Sequence, residues 1–214
     1  MKKYLDIVKK IHASPYKLTL VSSGGGTNAI SELLKVPGAS KTILESYIPY
    51  SKKSMDVFLG KKPDHYCSLD ACLNMAANAY KKSAEIGEKT KTKHLLGIAI
   101  TANLATTYEK KGDHKFFIVV QAHDYTKYIE CFLDKGKRTR EEEEKLITEC
   151  VLSLLAKSCK FDFGLPYTQE EIKVVEIKAK NSWKKLFNNK VGFITNNKNN
   201  PELIFPGSFN PLHE

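Results

Sequence analysis

Two near-continuous apolar runs, LLGIAIT (95–101) and KFFIVVQ (115–121), constrain this chain more than any other feature. Such runs are expected of strands covered on both faces, and a sheet covered on both faces needs helices above and below it. Helical patterns are present. Residues 4–12 put Leu5, Val8 and Ile11 on one side, and Pro15 follows. Ser68 opens a helix to about Ile86, with Leu69, Cys72, Leu73, Ala76, Ala79, Tyr80 and Ser83 at helical spacing and Gly87 in the C′ position. Thr139-Arg140-Glu141-Glu142 has the form of a capping box ahead of the stripe Leu146, Ile147, Cys150, Val151, Leu154, Leu155, which predicts a helix to about 159. YKLTLV (16–21), TILESYIPY (42–50) and KYIECFL (127–133) read as further strands, the last near an edge. The predicted class is α/β, a three-layer α/β/α sandwich.

After Phe163-Gly164-Leu165-Pro166 the character changes. EIKVVEIKA (171–179) reads as a strand or a short helix, Trp183, Leu186 and Phe187 as one amphipathic turn, and VGFIT (191–195) as a short strand. Seven asparagines within 181–200 mark a polar connector. The expected division is a domain over 1–165, a connector over 166–202 and the start of something else over 203–214.

Hydrophobic residues at 42% and charged residues at 27% are ordinary globular usage, which excludes disordered, collagen-like and disulfide-dense chains. No run approaches the ~18 apolar residues of a spanning helix, and MKKYLDIVKKIH is not an export signal, so a cytoplasmic protein without a membrane partner is expected. The five cysteines (Cys67, Cys72, Cys131, Cys150, Cys159) show no zinc spacing; each is expected to be a buried thiol, with no metal and no cofactor. The net charge of +10 is concentrated in the first hundred residues, and all but Arg138 and Arg140 of its 34 bases are lysine. Lysine is a point charge poorly suited to bidentate reading of base edges, so a small phosphorylated ligand, or simple solubility, explains the charge better than specific nucleic-acid binding. A homo-oligomer is left open.

The segment Ser22-Ser23-Gly24-Gly25-Gly26 follows a strand and precedes the helical pattern Ala29, Ile30, Leu33, Leu34. Such a loop can offer backbone N–H groups to an anion or a developing oxyanion, and it can equally be a tight turn. The four glutamates 141–144 read as first-turn carboxylates that complement the helix dipole. His12, His65, His94, His114 and His123 lack a partner pattern; His114 and His123 flank a strand, and none is assigned a role.

The order strand, Ser-x-x-Gly-Gly, helix, Val36-Pro37-Gly38-Ala39-Ser40, strand, Tyr50-Ser51, then a strand ending in Ile100-Thr101 resembles the CinA C-terminal domain, the nicotinamide-mononucleotide amidohydrolase family, over roughly residues 4–165. The resemblance implies a mixed central sheet and hydrolysis of a carboxamide to carboxylate and ammonia. It puts Ser22 on the family's nucleophile and Gly25 and Gly26 on its glycine pair. Ser23 and Gly24 complete the loop, and Tyr50, Ser51 and Thr101 line the implied pocket. The family's base closes a YSNEAK-like segment. Here the segment reads YSKKSM, so Met55, which cannot accept a proton, holds that position. Lys52 lies three residues earlier and, in a helix, on nearly the same face, which makes it the substitute base. Where the family has Gly-x-x-Gly-Pro, this chain has Ala102-Asn103-Leu104-Ala105-Thr106, which fills space that glycines leave open. The resemblance therefore implies a divergent domain binding a pyridine mononucleotide or similar ligand with amidase activity weak or lost. An active amidohydrolase and a structural or dimerisation domain are the alternatives.

At the C-terminus, Leu203–Phe205 leading into Gly207-Ser208-Phe209-Asn210-Pro211-Leu212-His213-Glu214 resembles the opening of a nucleotidyltransferase domain of the cytidylyltransferase or adenylyltransferase type. Gly207, Phe209, Pro211 and His213 match its Gly-x-Phe-x-Pro-x-His. The overall order resembles a eukaryotic fusion of a CinA-like and a nucleotidyltransferase-like domain, cut at the start of the second, and so few residues are expected to carry no adenylyl transfer.

Overall fold

A computed structural model describes residues 4–108, 110–187 and 189–194. The chain divides into two units, Met1–Lys178 and Ala179–Glu214.

The first unit is built on a six-stranded sheet in the order β2-β1-β3-β4-β5-β6. The strands are β1 (Lys17–Ser23), β2 (Ile43–Tyr47), β3 (Leu95–Asn103), β4 (His114–Gln121), β5 (Tyr125–Leu133) and β6 (Lys173–Lys178). β1 pairs in parallel with β2 and β3, while β3 to β6 run antiparallel in turn, so the sheet is mixed as expected. Five helices flank it: α1 (Leu5–Ala13), α2 (Thr27–Leu34), α3 (Lys52–Leu59), α4 (Leu69–Ile86) and α5 (Arg140–Ser158). The segment left open as strand or helix is β6, which extends the sheet beyond β5.

Alternation along the strands divides the core in two. Leu18, Leu20, Leu96, Ile98, Ile100, Phe116 and Ile118 pack with α1, α2 and α5. Val21, Ala99, Phe117 and Val119 face the other way and pack with Met55 of α3 and with Cys72, Met75, Ala76 and Ala79 of α4. The chain leaves β1 for β2 on one side and returns past β1 to β3. A fixed crossover hand then demands opposite faces for the two connections, which is where α2 and α4 lie. α5 has no wet face to speak of: twelve of its side chains are buried, from Glu143 to Ser158. The predicted Thr139/Glu142 capping box is formed.

β6 is tied on through its lead-in. Arg138, just before α5, donates to both oxygens of Glu170 at 2.5 and 2.8 Å, and Thr168 shares that carboxylate. The guanidinium holds the Glu170 carboxyl well below the usual carboxylate range. A carboxyl with a depressed folded value contributes stability that is present above its unfolded value, near 4.3, and lost as pH falls through the folded one. Glu170→Gln is therefore expected to cost about 1–2 kcal/mol at pH 7, moderated by the partial exposure of Arg138, with the gap from wild type closing below about pH 3. Urea unfolding at pH 7 and pH 3 checks this, and a gap that stays constant with pH would remove the ion pair from the account.

In the second unit, Trp183, Leu186 and Phe187 lie on the short helix α6 (Asn181–Phe187). The strand expected over 191–195 is not formed where the chain is described: Val191 to Ile194 make no ladder. Short apolar sequence without a paired edge has nowhere to place its backbone hydrogen bonds as a strand. The nucleotidyltransferase-like residues Gly207, Phe209, Pro211 and His213 lie outside the described residues. Among those described, no helix is long and apolar enough to cross a membrane.

Candidate functional site

The parallel pairing brings the carboxyl ends of β1, β2 and β3 to one end of the sheet, the usual place for ligands in open α/β folds. The antiparallel turn after β3 adds the start of β4 to that end, since Asn103 pairs with Lys115. β5 also finishes there, opposite His114, and delivers the first turn of α5.

Ser22 and Ser23 close β1 beside Ile100 and Thr101 of β3. Ser22 is fully buried, and its hydroxyl donates to the carbonyl of Gly25 at 2.5 Å. Ser23 donates to the carbonyl of Pro49 at 2.9 Å, tying β1 to the segment after β2. Gly24 and Gly26 have φ of 79° and 90°, and a Cβ on Gly24 would stand 2.0 Å from the carbonyl oxygen of Ala102. Glycine is required there both by backbone conformation and by that approach. A Cβ on Gly25 would meet Leu104 at 2.6 Å and Ala102 at 3.1 Å. The side chains of Ala102 and Leu104, after Thr101, therefore fill the space over the loop.

The loop's polar groups are held by α5. The N–H of Gly26 donates to Oε2 of Glu144 at 2.7 Å. Arg140 donates to the carbonyls of Gly24 at 2.9 Å and Ala105 at 3.2 Å. Glu143, fully buried, accepts from the N–H of Ala105 at 2.6 Å and from His114 Nδ1 at 2.8 Å. Glu141, Glu142 and Glu143 sit in the first turn as expected, and the contacts of Glu143 and Glu144 add to that reading. Only Glu142 acts mainly as a cap; Glu143 and Glu144 reach across to other segments. His114 lies at the strand end where it was expected, the first residue of β4, and is in addition a buried partner of Glu143. An Arg140/Glu144 pair at helical spacing beside an otherwise apolar stripe is the only sequence signal that pointed there.

On the other side of the loop, Ser51 caps α3, accepting from the N–H of Ser54, and Tyr50 is 70% exposed. Lys52 opens α3, exposed, with its Nζ 5.8 Å above the ring of Tyr66. Met55 is 1% exposed and belongs to the apolar cluster between α3, α4 and the sheet. Thr101 is buried and donates to the carbonyl of Tyr66 at 2.9 Å. Lys110 donates to Asn103 Oδ1 at 2.8 Å and to the carbonyl of Leu104 at 3.0 Å, and burial together with Arg140 lowers its pKa. All five thiols are free, and burial raises each one, Cys131 to about 12, so none is a ready nucleophile. Cys67 is half-buried and the other four are buried. Among the described residues no group of His, Cys, Asp or Glu is placed to hold a metal ion.

Beside the loop, between α2 and α5, lies an open groove of about 870 Å³ lined by Thr27, Asn28, Ser31, Arg140, Glu144 and Lys145, among others. That is in the size range of small-molecule sites, and its lining offers hydroxyl, amide and cationic donors beside the carboxylates of Glu141 and Glu144.

Solved structures share this architecture. A competence or damage-inducible protein from Enterobacter asburiae superposes with a TM-score of 0.59 at 15% identity, covering 74% of this chain and 99% of that one. The chain has the fold of the CinA superfamily. Superfamily proteins from Klebsiella pneumoniae and Escherichia coli superpose with TM-scores of 0.55 and 0.54 at 11% and 14% identity, covering 73% and 72% of this chain and 94% and 86% of theirs. About a quarter of the chain thus has no counterpart in these CinA-fold structures. No protein-family model matches the chain, and no curated protein does.

Proposed function

We propose that this chain is a non-hydrolytic CinA-fold domain that binds a pyridine mononucleotide, or a similar small phosphorylated ligand, at the loop 22–26 without cleaving its amide. One observation carries the loss of hydrolysis: the serine hydroxyl is committed to the fold, and the position where the resemblance expects its base is an apolar methionine in the core. Acyl transfer needs a nucleophile that can reach the carbonyl and a base within about 3 Å of its proton. Ser22 is buried with its proton on the Gly25 carbonyl, and the position of the family's lysine is Met55 in the apolar core. Lys52 sits one turn before Met55 at the exposed start of α3, over Tyr66. The binding half of the reading is supported by the groove next to Gly26, with Arg140 and Lys145 for a phosphate and Thr27, Asn28 and Ser31 for hydroxyl groups.

A structural or dimerisation role is the second reading, favoured by the Glu144 carboxylate that already occupies the Gly26 N–H. Two measurements separate the readings. Ammonia release from nicotinamide mononucleotide is expected at background for wild type, Ser22→Ala and Lys52→Met alike; release abolished by both substitutions overturns the non-hydrolytic reading. Calorimetry with the same compound is expected to show binding, and no heat at millimolar ligand decides for the structural role.

A further inference from the structure

We infer that the end of the sheet opposite the glycine loop carries a site for a flexible polyphosphate chain, held in a groove by lysines that no carboxylate neutralises. The inference is independent of the reading of the loop 22–26.

α4 ends at Ile86, and residues 87–94, GEKTKTKH, lead from it into the amino end of β3, where Leu95 pairs with Lys17 at the start of β1. This linker and the start of β1 enclose an open groove of about 390 Å³ lined by Lys17, Glu88, Lys89, Thr90, Lys91 and His94, with Pro15. The His94 imidazole is held below the usual histidine value by burial and then by Lys93, Lys91 and Lys160, the last just past the end of α5. Lys93 and Lys160 therefore stand near the same groove. Among the described residues its lining holds one carboxylate, Glu88.

Lys35, Lys82, Lys127 and Lys173, elsewhere on the surface, pair with glutamates. Among the described residues, none of Lys17, Lys89, Lys91, Lys93 and Lys160 makes an ion pair. Helix dipoles do not account for the cluster: their pull on cations fades within the last turn, and the last turn of α4 holds no base. Like charges gathered in one groove repel one another, and a polyanion relieves that repulsion as it binds.

The donor set selects the kind of anion. Ammonium groups and the Thr90 hydroxyl respond to charge and carry no bidentate fork for a base edge. The two arginines, Arg138 and Arg140, lie at the start of α5, at the other end of the sheet. Tyr16 is buried and meets His94 edge to face at 5.2 Å, so no open aromatic platform is offered to a nucleobase. A concave groove admits a chain and not the flat surface of a bilayer.

Calorimetry on the full chain with inorganic tripolyphosphate, at salt from about 50 to about 200 mM, tests this. Wild type is expected to bind, with log K falling linearly as log salt rises. Lys89→Gln/Lys91→Gln/Lys93→Gln is expected to bind at least about tenfold more weakly, with a salt slope shallower by about 2. Lys61→Gln/Lys62→Gln/Lys111→Gln removes the same charge from exposed positions outside the groove and is expected to stay within about twofold of wild type. Should the first variant not fold, Lys91→Glu, a single exposed change, carries the comparison, with weaker binding again expected. No heat with tripolyphosphate at the lowest salt overturns the site. Equal losses in the two triple variants overturn it as well, because net charge and not the groove would then be responsible. Tighter binding of a single-stranded oligonucleotide or of phosphatidylserine vesicles than of polyphosphate at equal charge overturns the choice of occupant.

Discussion

Met55→Lys, which places a lysine where the CinA resemblance would put a base, is expected to destabilise the protein by about 3–5 kcal/mol at pH 7 and to yield no ammonia release. The position is not a pocket wall waiting for its lysine. Met55 belongs to the apolar cluster of Val21, Cys72, Met75, Ala76, Ala79, Ala99, Phe117 and Val119, whose buried side chains carry no oxygen and no negative charge to receive an ammonium. An ammonium placed there either keeps its charge against a desolvation penalty or surrenders its proton. Burial depresses the folded pKa of such a lysine below its unfolded value near 10.4. Between those two values the unfolded chain binds more protons, so stability relative to wild type rises with pH. Urea unfolding at pH 6 and pH 10 is expected to show the larger penalty at pH 6. A variant within about 1 kcal/mol of wild type that releases ammonia in a Ser22-dependent way would show the site to be open after all.

Gly97→Ala is expected to cost at least about 4 kcal/mol, or to prevent folding. Gly97 lies in the middle of β3, under α4. A Cβ there would stand 2.1 Å from the backbone nitrogen of Tyr80, 2.3 Å from the carbonyl oxygen of Ala76 and 2.6 Å from the Tyr80 Cα. These are backbone atoms of an 18-residue helix, so no rotamer change relieves the contact and the whole helix has to lift from the sheet. With about 2–4 °C per kcal/mol for a chain of this size, the midpoint of thermal unfolding is expected to fall by about 10 °C or more. Gly164→Ala is the matched control: nothing lies within 4 Å of its Cβ position and its φ is not positive, so a change within about 0.5 kcal/mol is expected. Equal effects at the two positions would refute the close-approach argument.

The layered α/β architecture was legible because it follows from local signals that agree with one another. The runs at 95–101 and 115–121 had no polar face to leave wet, the Ser68 and Thr139 caps opened helices where they should, and both caps are formed. β6 was ambiguous because KVVEIK is mostly exposed, so its sequence carries no burial pattern; only pairing with β5 makes it a strand. The strand expected from VGFIT had the right composition and no partner among the described residues.

The candidate site divides in the same way. Which residues form the loop after β1 and that Met55 cannot act as a base are readable along the chain, whereas the left-handed backbone of Gly24 and Gly26, but not Gly25, came only with the structure. What those residues touch was not readable. Glu144 lies 118 positions from Gly26, Glu143 lies 38 from Ala105, and Arg140 lies 116 from Gly24. Residue type and helical spacing determine that a side chain is charged and which face of its helix it occupies. Only the folding of β5 back along the sheet decides that this face lands on the glycine loop, so that a glutamate expected only to complement the dipole of its own helix also accepts from the Gly26 N–H.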